Sequence, residues 1–213
     1  MSSPERSRAE ARLDLVATVL LALATVASAW SGYQASRWNG EQAKAAGRTN
    51  GTRILAARAQ SLAQTQEQVD VATFSSWADA YARKETLLAD FYFKRFRAEF
   101  KPAVVAWIAT KPLTNPDAPL TPFAMPQYRL KAQAEADALD AESAKTAAAA
   151  LAYVQRSTNY VLAAVLFATT LFFAGISTKL PTVGLRRMLL ALGVIVFLAT
   201  AAWLASSPVS ISV

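Results

Sequence analysis

The hydrophobic positions of this chain gather into three long runs, separated by polar sequence that favours helices. The first run, Leu15 to Trp30, is softened only by Thr18, Thr25 and Ser28. About 20 apolar residues in a helix cross the hydrocarbon core of a bilayer. We therefore predict transmembrane helices over residues 13–33, 158–178 and 188–205. Because no stretch alternates as a strand does, the predicted fold class is all-α, with three transmembrane helices and a helical extramembrane domain.

That domain, residues 34–157, is rich in Ala, Gln, Arg and Glu. Apolar residues at spacings of mostly three, four and seven predict a buried face; they are Leu55, Leu62, Val69, Phe74, Trp77, Tyr81, Leu88 and Phe91. Gly47 and Gly51 flank Asn50 and predict a bend or a short helix-to-helix connection. The prolines of residues 111–126 predict an extended, stiff loop. The chain must return to the membrane after this loop. Either the loop runs back beside one long continuous helix, or the outgoing helix folds back on itself at the glycines.

Small residues recur at every fourth position through the first span and beyond its end. They are Ala24, Ser28, Gly32, Ser36 and Gly40, which we call the small-residue ridge. On a helix, a ridge without bulky side chains lets a second helix approach closely. We expect the ridge to join helices, within one chain or between copies. Amphipathic rings favour the headgroup level of a membrane, so we predict interface positions for Trp30, Tyr33, Trp38 and Trp203.

Basic residues indicate the orientation of the spans. The turn at residues 179–187 carries Lys179, Arg186 and Arg187, whereas the tail at residues 206–213 has no basic residue. Short basic loops stay in the cytoplasm. We therefore expect residues 1–12 and this turn in the cytoplasm of a bacterium, and residues 34–157 outside its inner membrane.

The first apolar run also fits a secretory signal peptide with a cleavage site at Ala27-Ser28-Ala29. Two glutamates and Asp14 dilute the positive charge that precedes it. The small-residue ridge also continues through the cleavage site to Gly40, as it would in an uncleaved helix. We expect a membrane anchor.

Composition excludes several kinds of chemistry. The chain has no cysteine and no histidine, so it lacks thiolate metal ligands, a cysteine nucleophile and the commonest general base. The predicted spans hold almost no ionisable residue, although pumps and coupled transporters use such residues along their pathways. We therefore expect no enzyme, no catalytic or metal site and no cofactor. The net charge of +7 suits contact with the lipid bilayer.

Aromatic and basic residues are interleaved near the end of the outgoing helical sequence. This aromatic–basic segment comprises Phe91, Tyr92, Phe93, Lys94, Arg95, Phe96, Arg97, Phe100 and Lys101. Platforms for single-stranded nucleic acid have a similar composition, but no nucleic-acid motif accompanies the segment, and we expect no nucleic-acid partner. We expect a surface for lipid headgroups or for a neighbouring subunit.

The layout resembles an uncharacterised bacterial family of small three-span membrane proteins. The resemblance lies in a first span that leads into a polar helix, here Ser31-Gly32-Tyr33-Gln34-Ala35-Ser36-Arg37-Trp38-Asn39, and in two closing spans separated by a basic turn. Tryptophan, tyrosine and glutamine follow the first span in that family, and this chain has the same residue types in a looser arrangement. The resemblance implies no catalytic residue.

These features predict a non-enzymatic membrane protein that forms a homo-oligomer through its first span and serves as a scaffold. We expect the proline-rich loop to contact an envelope protein partner. The alternative is an oligomeric ion channel, with a pore lined by the small polar residues Thr25, Ser28 and Ser36.

Overall fold

A computed structural model describes residues 4–210, with the side chains of residues 10–210. This part of the chain forms five α-helices, one 3-10 turn at Pro122–Ala124 and no strand. The helices are α1 Pro4–Ala82, α2 Thr86–Arg95, α3 Lys101–Ala109, α4 Lys131–Ser177 and α5 Val183–Ala205. α1, α4 and α5 are each long and apolar enough to cross a membrane. The all-α class and the three candidate spans are confirmed.

The segment predicted as a bend or connection is helical. α1 continues through Gly47–Gly51 without interruption, so that prediction is wrong. Each glycine costs a helix about 1 kcal/mol relative to alanine. Thr49, which lies between the glycines, is buried and donates to Thr146 Oγ1 at 2.8 Å, so packing within the chain offsets that cost. Of the two routes left open by the sequence, the chain takes the one with the long outgoing helix.

The chain divides into two compact units. The first contains the chain up to Gly47 and from Ala147 onward, and the second contains Arg48–Thr146. The predicted extramembrane domain, residues 34–157, therefore begins earlier and ends later in the sequence than the compact second unit.

In the first unit, α4 runs antiparallel to α1. Ser28 Oγ donates to the carbonyl of Ala164 at 3.4 Å, and Ser157 Oγ donates to the carbonyl of Ala35 at 3.0 Å. Residue numbers therefore increase along α1 in the direction in which they decrease along α4. Small buried side chains permit this close approach, among them Ala17, Ala24, Ala163 and Ala174. On α5, Gly193 serves the same purpose, because a Cβ atom there would lie 3.3 Å from Leu20 Cδ2 of α1.

Polar contacts fasten both ends of this unit. At one end, Arg186 of α5 forms an ion pair with Asp14 of α1. At the other, the buried amide of Gln34 accepts from the backbone nitrogen of Ser210 at 3.0 Å and donates to its carbonyl at 3.4 Å. Tyr160 Oη donates to the carbonyl of Pro208 at 3.1 Å. The chain that follows α5 is thus held against α1 and α4.

The second unit has an aromatic core. Trp77, Phe96, Phe100 and Val104 are buried, and side chains from the end of α1 and from the proline-rich loop pack against them. Phe123 stacks on Phe100 with ring centroids 5.0 Å apart. Trp107 Nε1 donates to the carbonyl of Pro119 at 2.6 Å, which ties the proline-rich loop to α3.

The buried face of α1 in this unit differs from the predicted one. Leu55, Leu62 and Val69 of α1 are about half exposed, and Tyr81 is exposed as well. The two predicted residues that lie on α2, Leu88 and Phe91, are also exposed. Of the eight predicted residues, only Trp77 is buried, and Phe74 is partly buried against the core. The covered face consists mainly of alanines, namely Ala56, Ala59 and Ala63. The large apolar residues marked the wrong face because small residues allow closer helix packing than leucines do.

Candidate functional site

The small-residue ridge divides between two faces of α1. Ala24 is fully buried and Ser28 is half-buried, whereas Gly32, Ser36 and Gly40 are exposed. A step of four residues overshoots one helical turn by about 40°. The ridge therefore winds from the covered face to the uncovered face, and it is not one straight line. Its first half packs within the chain, and its second half faces away from α4 and α5.

α1 carries four glycines that the chain's own packing does not require. At Gly32, Gly40, Gly47 and Gly51, nothing lies within 4 Å of the position a Cβ atom would take. None of them adopts a positive φ, so none is needed for an unusual backbone conformation. Each one nevertheless weakens the helix by about 1 kcal/mol relative to alanine.

The predicted interface aromatics are not all at the surface. Trp30, Tyr33 and Trp203 are exposed, as membrane-facing rings would be. Trp38 is buried, stacks on Tyr153 with centroids 5.5 Å apart, and lies beneath the Arg156 guanidinium at 4.6 Å. Trp38 is therefore a packing residue between α1 and α4.

The aromatic–basic segment is only partly a surface. Phe96 and Phe100, which lie in the connection between α2 and α3, belong to the core of the second unit, and Tyr92 and Phe93 of α2 pack against it. Phe91 stays exposed beneath the Arg95 guanidinium, 3.5 Å from the ring centroid. Lys94 pairs with Asp90 at 2.6 Å, and Lys101 lies 4.9 Å from the Phe93 ring centroid. The exposed members of the segment, which remain open to lipid or to a partner, are Phe91, Lys94 and Arg95, and Arg97 and Lys101 are partly exposed.

A buried carboxylate that the sequence did not reveal lies beside this segment. Asp70 is fully buried, and its Oδ2 accepts from Arg97 Nη1 at 2.7 Å and from Tyr128 Oη at 3.2 Å. Arg97 Nη2 also donates to Glu99 Oε2 at 2.9 Å. Asp70 Oδ1 accepts no hydrogen bond from the described residues. These contacts tie α1 to the segments that carry Arg97 and Tyr128.

The burial of Asp70 sets the protonation of this cluster. Burial raises the pKa of Asp70 above its usual range, although the Arg97 guanidinium and the Tyr128 hydrogen bond act in the opposite direction. Burial also raises the pKa of Tyr128, and the charge of Asp70 adds to that rise. One weak signal was present in the sequence, since Ala56, Ala63 and Asp70 follow one another at steps of seven on the buried face of α1.

A cavity of about 620 Å³ lies where α1 ends, also missed from the sequence. Trp77 and Tyr81 of α1, Ala89 and Phe93 of α2, and Leu113 of the proline-rich loop line it. A second hollow of about 290 Å³ shares Trp77, Tyr81 and Leu113 with it. Cavities of this size and apolar lining are typical of small-molecule sites.

The turn after α1 shapes the mouth of this cavity. Lys84 adopts a left-handed conformation with φ 60°, the backbone nitrogen of Glu85 donates to the carbonyl of Ala80 at 2.9 Å, and that of Lys84 donates to Tyr81. This pair of hydrogen bonds is the Schellman ending of a helix. It turns the chain back, so that Lys84 and Glu85 line the cavity together with Asp90 of α2.

Comparison with models of protein families, with curated proteins and with solved structures gives no match to this chain. No matching family therefore supports the resemblance seen around Ser31–Asn39. The function has to be inferred from the helix faces, the buried carboxylate and the cavity.

Proposed function

We propose that this chain is a non-enzymatic scaffold protein of the bacterial inner membrane, which assembles with copies of itself along the exposed face of α1. The observation that carries the proposal is the set of four glycines on that helix, each with open space where a Cβ atom would lie. A glycine inside a helix is destabilising unless another backbone comes close. Since the chain itself does not fill this space, a second copy is the natural occupant.

Membrane helices associate through just such surfaces. Within lipid, apolar side chains gain little by leaving the acyl chains, so close backbone approach over small residues drives pairing. Gly32, Ser36 and Gly40 provide a small-residue surface at the end of the first span, uncovered by the rest of the chain. Their spacing of four is the small-xxx-small pattern of such pairs.

The second unit offers a matching surface on its own part of α1. Leu55, Leu62 and Val69 are half-exposed at steps of seven. These residues occupy one of the two apolar positions that a coiled coil has in each seven residues. We propose that copies of the protein pair along this part of α1 as a coiled coil.

Two further parts of the proposal concern orientation and partner. The basic turn at residues 179–187 supports a cytoplasmic N-terminus and an extracytoplasmic middle domain. The proline-rich loop supports contact with an envelope protein, because Leu120 is 94% exposed on it and Leu113 is exposed as well.

The channel alternative is less well supported. Its lining would need free hydroxyl groups along one side of α1. Ser28 Oγ instead donates to the Ala164 carbonyl at 3.4 Å, and Thr25 Oγ1 donates to the Leu21 carbonyl of its own helix at 2.7 Å.

The mass of the solubilised protein tests the proposal. Native mass spectrometry of the full chain in a non-ionic detergent should give a multiple of the chain mass, and Gly32→Leu with Gly40→Leu should give the monomer. Gly184→Leu is the matched control, since Gly184 is an exposed glycine of α5 that also has open space at its Cβ position. If the wild-type protein is a monomer, or if Gly184→Leu dissociates it equally, the glycine face of α1 is not what holds the copies together.

A further inference from the structure

The cavity at the end of α1 combines an aromatic wall with small residues. Trp77 and Tyr81 stack with centroids 4.9 Å apart and planes 20° from parallel. Trp77 is buried, whereas Tyr81 is half-exposed, so a ligand can reach the Tyr81 ring of this stacked pair. Ala80 and Ala89, both buried, leave room beside these rings. The open aromatic surface favours a ligand with a flat or apolar body.

Charged groups at the same cavity favour a positive ligand. Glu85 and Asp90 line it, against one basic residue, Lys84. Asp90 is already paired with Lys94 at 2.6 Å, whereas Glu85 forms no ion pair among the described residues, so Glu85 is the carboxylate that remains for a positive ligand. An aromatic face beside carboxylates is the arrangement that recognises organic cations, through the ring quadrupole and the opposite charge.

We propose that this cavity binds an organic cation with an aromatic or apolar body, of the aryl quaternary ammonium class. Tyr81 contacts the cationic head, Trp77 and Phe93 contact the body, and Glu85 supplies the opposite charge. An anionic amphiphile of the same shape would meet the unpaired Glu85 carboxylate beside the open ring and should bind more weakly. No glycine of α1 is among the residues that line this cavity, so its occupancy does not depend on the proposed assembly.

Two probes of one shape and opposite charge test the proposal. Benzyltrimethylammonium and phenylmethanesulfonate are titrated against the full chain in a non-ionic maltoside detergent, with saturation-transfer NMR as the readout. The cation should bind at sub-millimolar to low-millimolar concentration, at least tenfold more tightly than the anion. Equal affinities would overturn the proposal, as would no transfer to either probe.

Variants place the binding at this cavity. Tyr81→Ala should weaken the cation about three- to thirtyfold, and Tyr81→Phe should keep its affinity, because the ring face makes the contact. Glu85→Gln should weaken the cation and leave the anion unchanged or slightly stronger. Asp79→Asn is the control for surface charge alone, since Asp79 is an exposed carboxylate near the same turn, pairs with Arg83 at 3.0 Å and does not line the cavity.

Three results would contradict the site. An equal loss in Asp79→Asn and Glu85→Gln would mean that the probe senses general surface charge. Unchanged affinity in Tyr81→Ala would place any bound cation elsewhere. A lower oligomer mass in Tyr81→Ala, measured on the same samples, would mean that a neighbouring copy covers the cavity and that no small cation occupies it.

Discussion

The Asp70 carboxylate is buried inside the second unit, and one guanidinium and one phenol both donate to the same one of its two oxygens. The Arg97 and Tyr128 contacts both reach Oδ2, and Oδ1 is left without a donor among the described residues. A buried carboxylate with incomplete hydrogen bonding pays a desolvation cost in its charged form. This is the physical reason why its pKa rises in spite of the nearby arginine.

The raised pKa predicts how pH changes the stability of the second unit. Because the folded state holds its proton to higher pH than the unfolded state does, protonated Asp70 contributes stability at pH values below its ordinary pKa of 3.8. That contribution is lost as pH rises through the raised folded pKa. Thermal unfolding between pH 4 and 8, followed by near-ultraviolet circular dichroism of the aromatic core, should show wild type falling relative to Asp70→Asn over this window.

Tyr128→Phe is the matched variant for this prediction. It keeps the ring and removes the hydroxyl donor that stabilises the carboxylate, so the same window should move to higher pH. A stability difference between wild type and Asp70→Asn that stays constant over the whole pH range would contradict the raised pKa.

At the scale of the element, α1 combines an alanine-rich covered face with a glycine-bearing exposed face. Its continuity through Gly47–Gly51 predicts slow amide hydrogen exchange there, because every amide in a helix interior is hydrogen-bonded. Exchange of Asn50 and Gly51 should be protected to within about tenfold of Ala57. Exchange at the rate of an unstructured peptide would mean that a connection interrupts the helix.

A substitution at the same place gives a second readout. In the Gly32→Leu, Gly40→Leu background, where no second copy covers the glycines, Gly51→Ala should raise the protection of neighbouring amides about two- to fivefold, since alanine stabilises a helix and nothing in the chain lies near the new Cβ atom. Gly51→Pro is the opposite control and should remove protection from the preceding turn. No gain in Gly51→Ala would mean that the position is already constrained by contacts.

The helices themselves were predictable, but their faces were not. Apolar length alone identifies the three spans, because a bilayer core requires about 20 residues. The exposed Leu55, Leu62 and Val69 show the limit of the apolar pattern, since the side of α1 that packs within the chain is chosen by Ala56, Ala59 and Ala63. The glycines at 47 and 51 did not indicate a bend correctly, because Thr49 between them packs against the returning chain and donates to Thr146.

At the scale of the whole molecule, the site depends on residues that are distant in sequence. Asp70 meets Arg97 and Tyr128, and the cavity joins Trp77 with Phe93 and Leu113. No spacing rule links these residues, because their separation is set by the turns between helices. The hydrophobic and polar pattern of the sequence therefore could not predict the Asp70 cluster or the cavity.

The proposed orientation can be tested directly, because the chain contains no cysteine and single cysteines can be added. Leu120→Cys, at a highly exposed loop position, should react with a membrane-impermeant maleimide in intact cells. Lys179→Cys, in the basic turn, should react only after permeabilisation. The reverse labelling pattern would place the middle domain in the cytoplasm.

The central claim, that copies meet along the exposed face of α1, is tested most directly by a disulfide crosslink in native membranes. Ser36→Cys lies on that face, and Ala168→Cys is the control at an exposed position of α4. A disulfide requires Cα atoms within about 7 Å, so mild oxidation should give a covalent dimer for Ser36→Cys and none for Ala168→Cys. No dimer from Ser36→Cys, or equal dimer from both, would contradict assembly through α1.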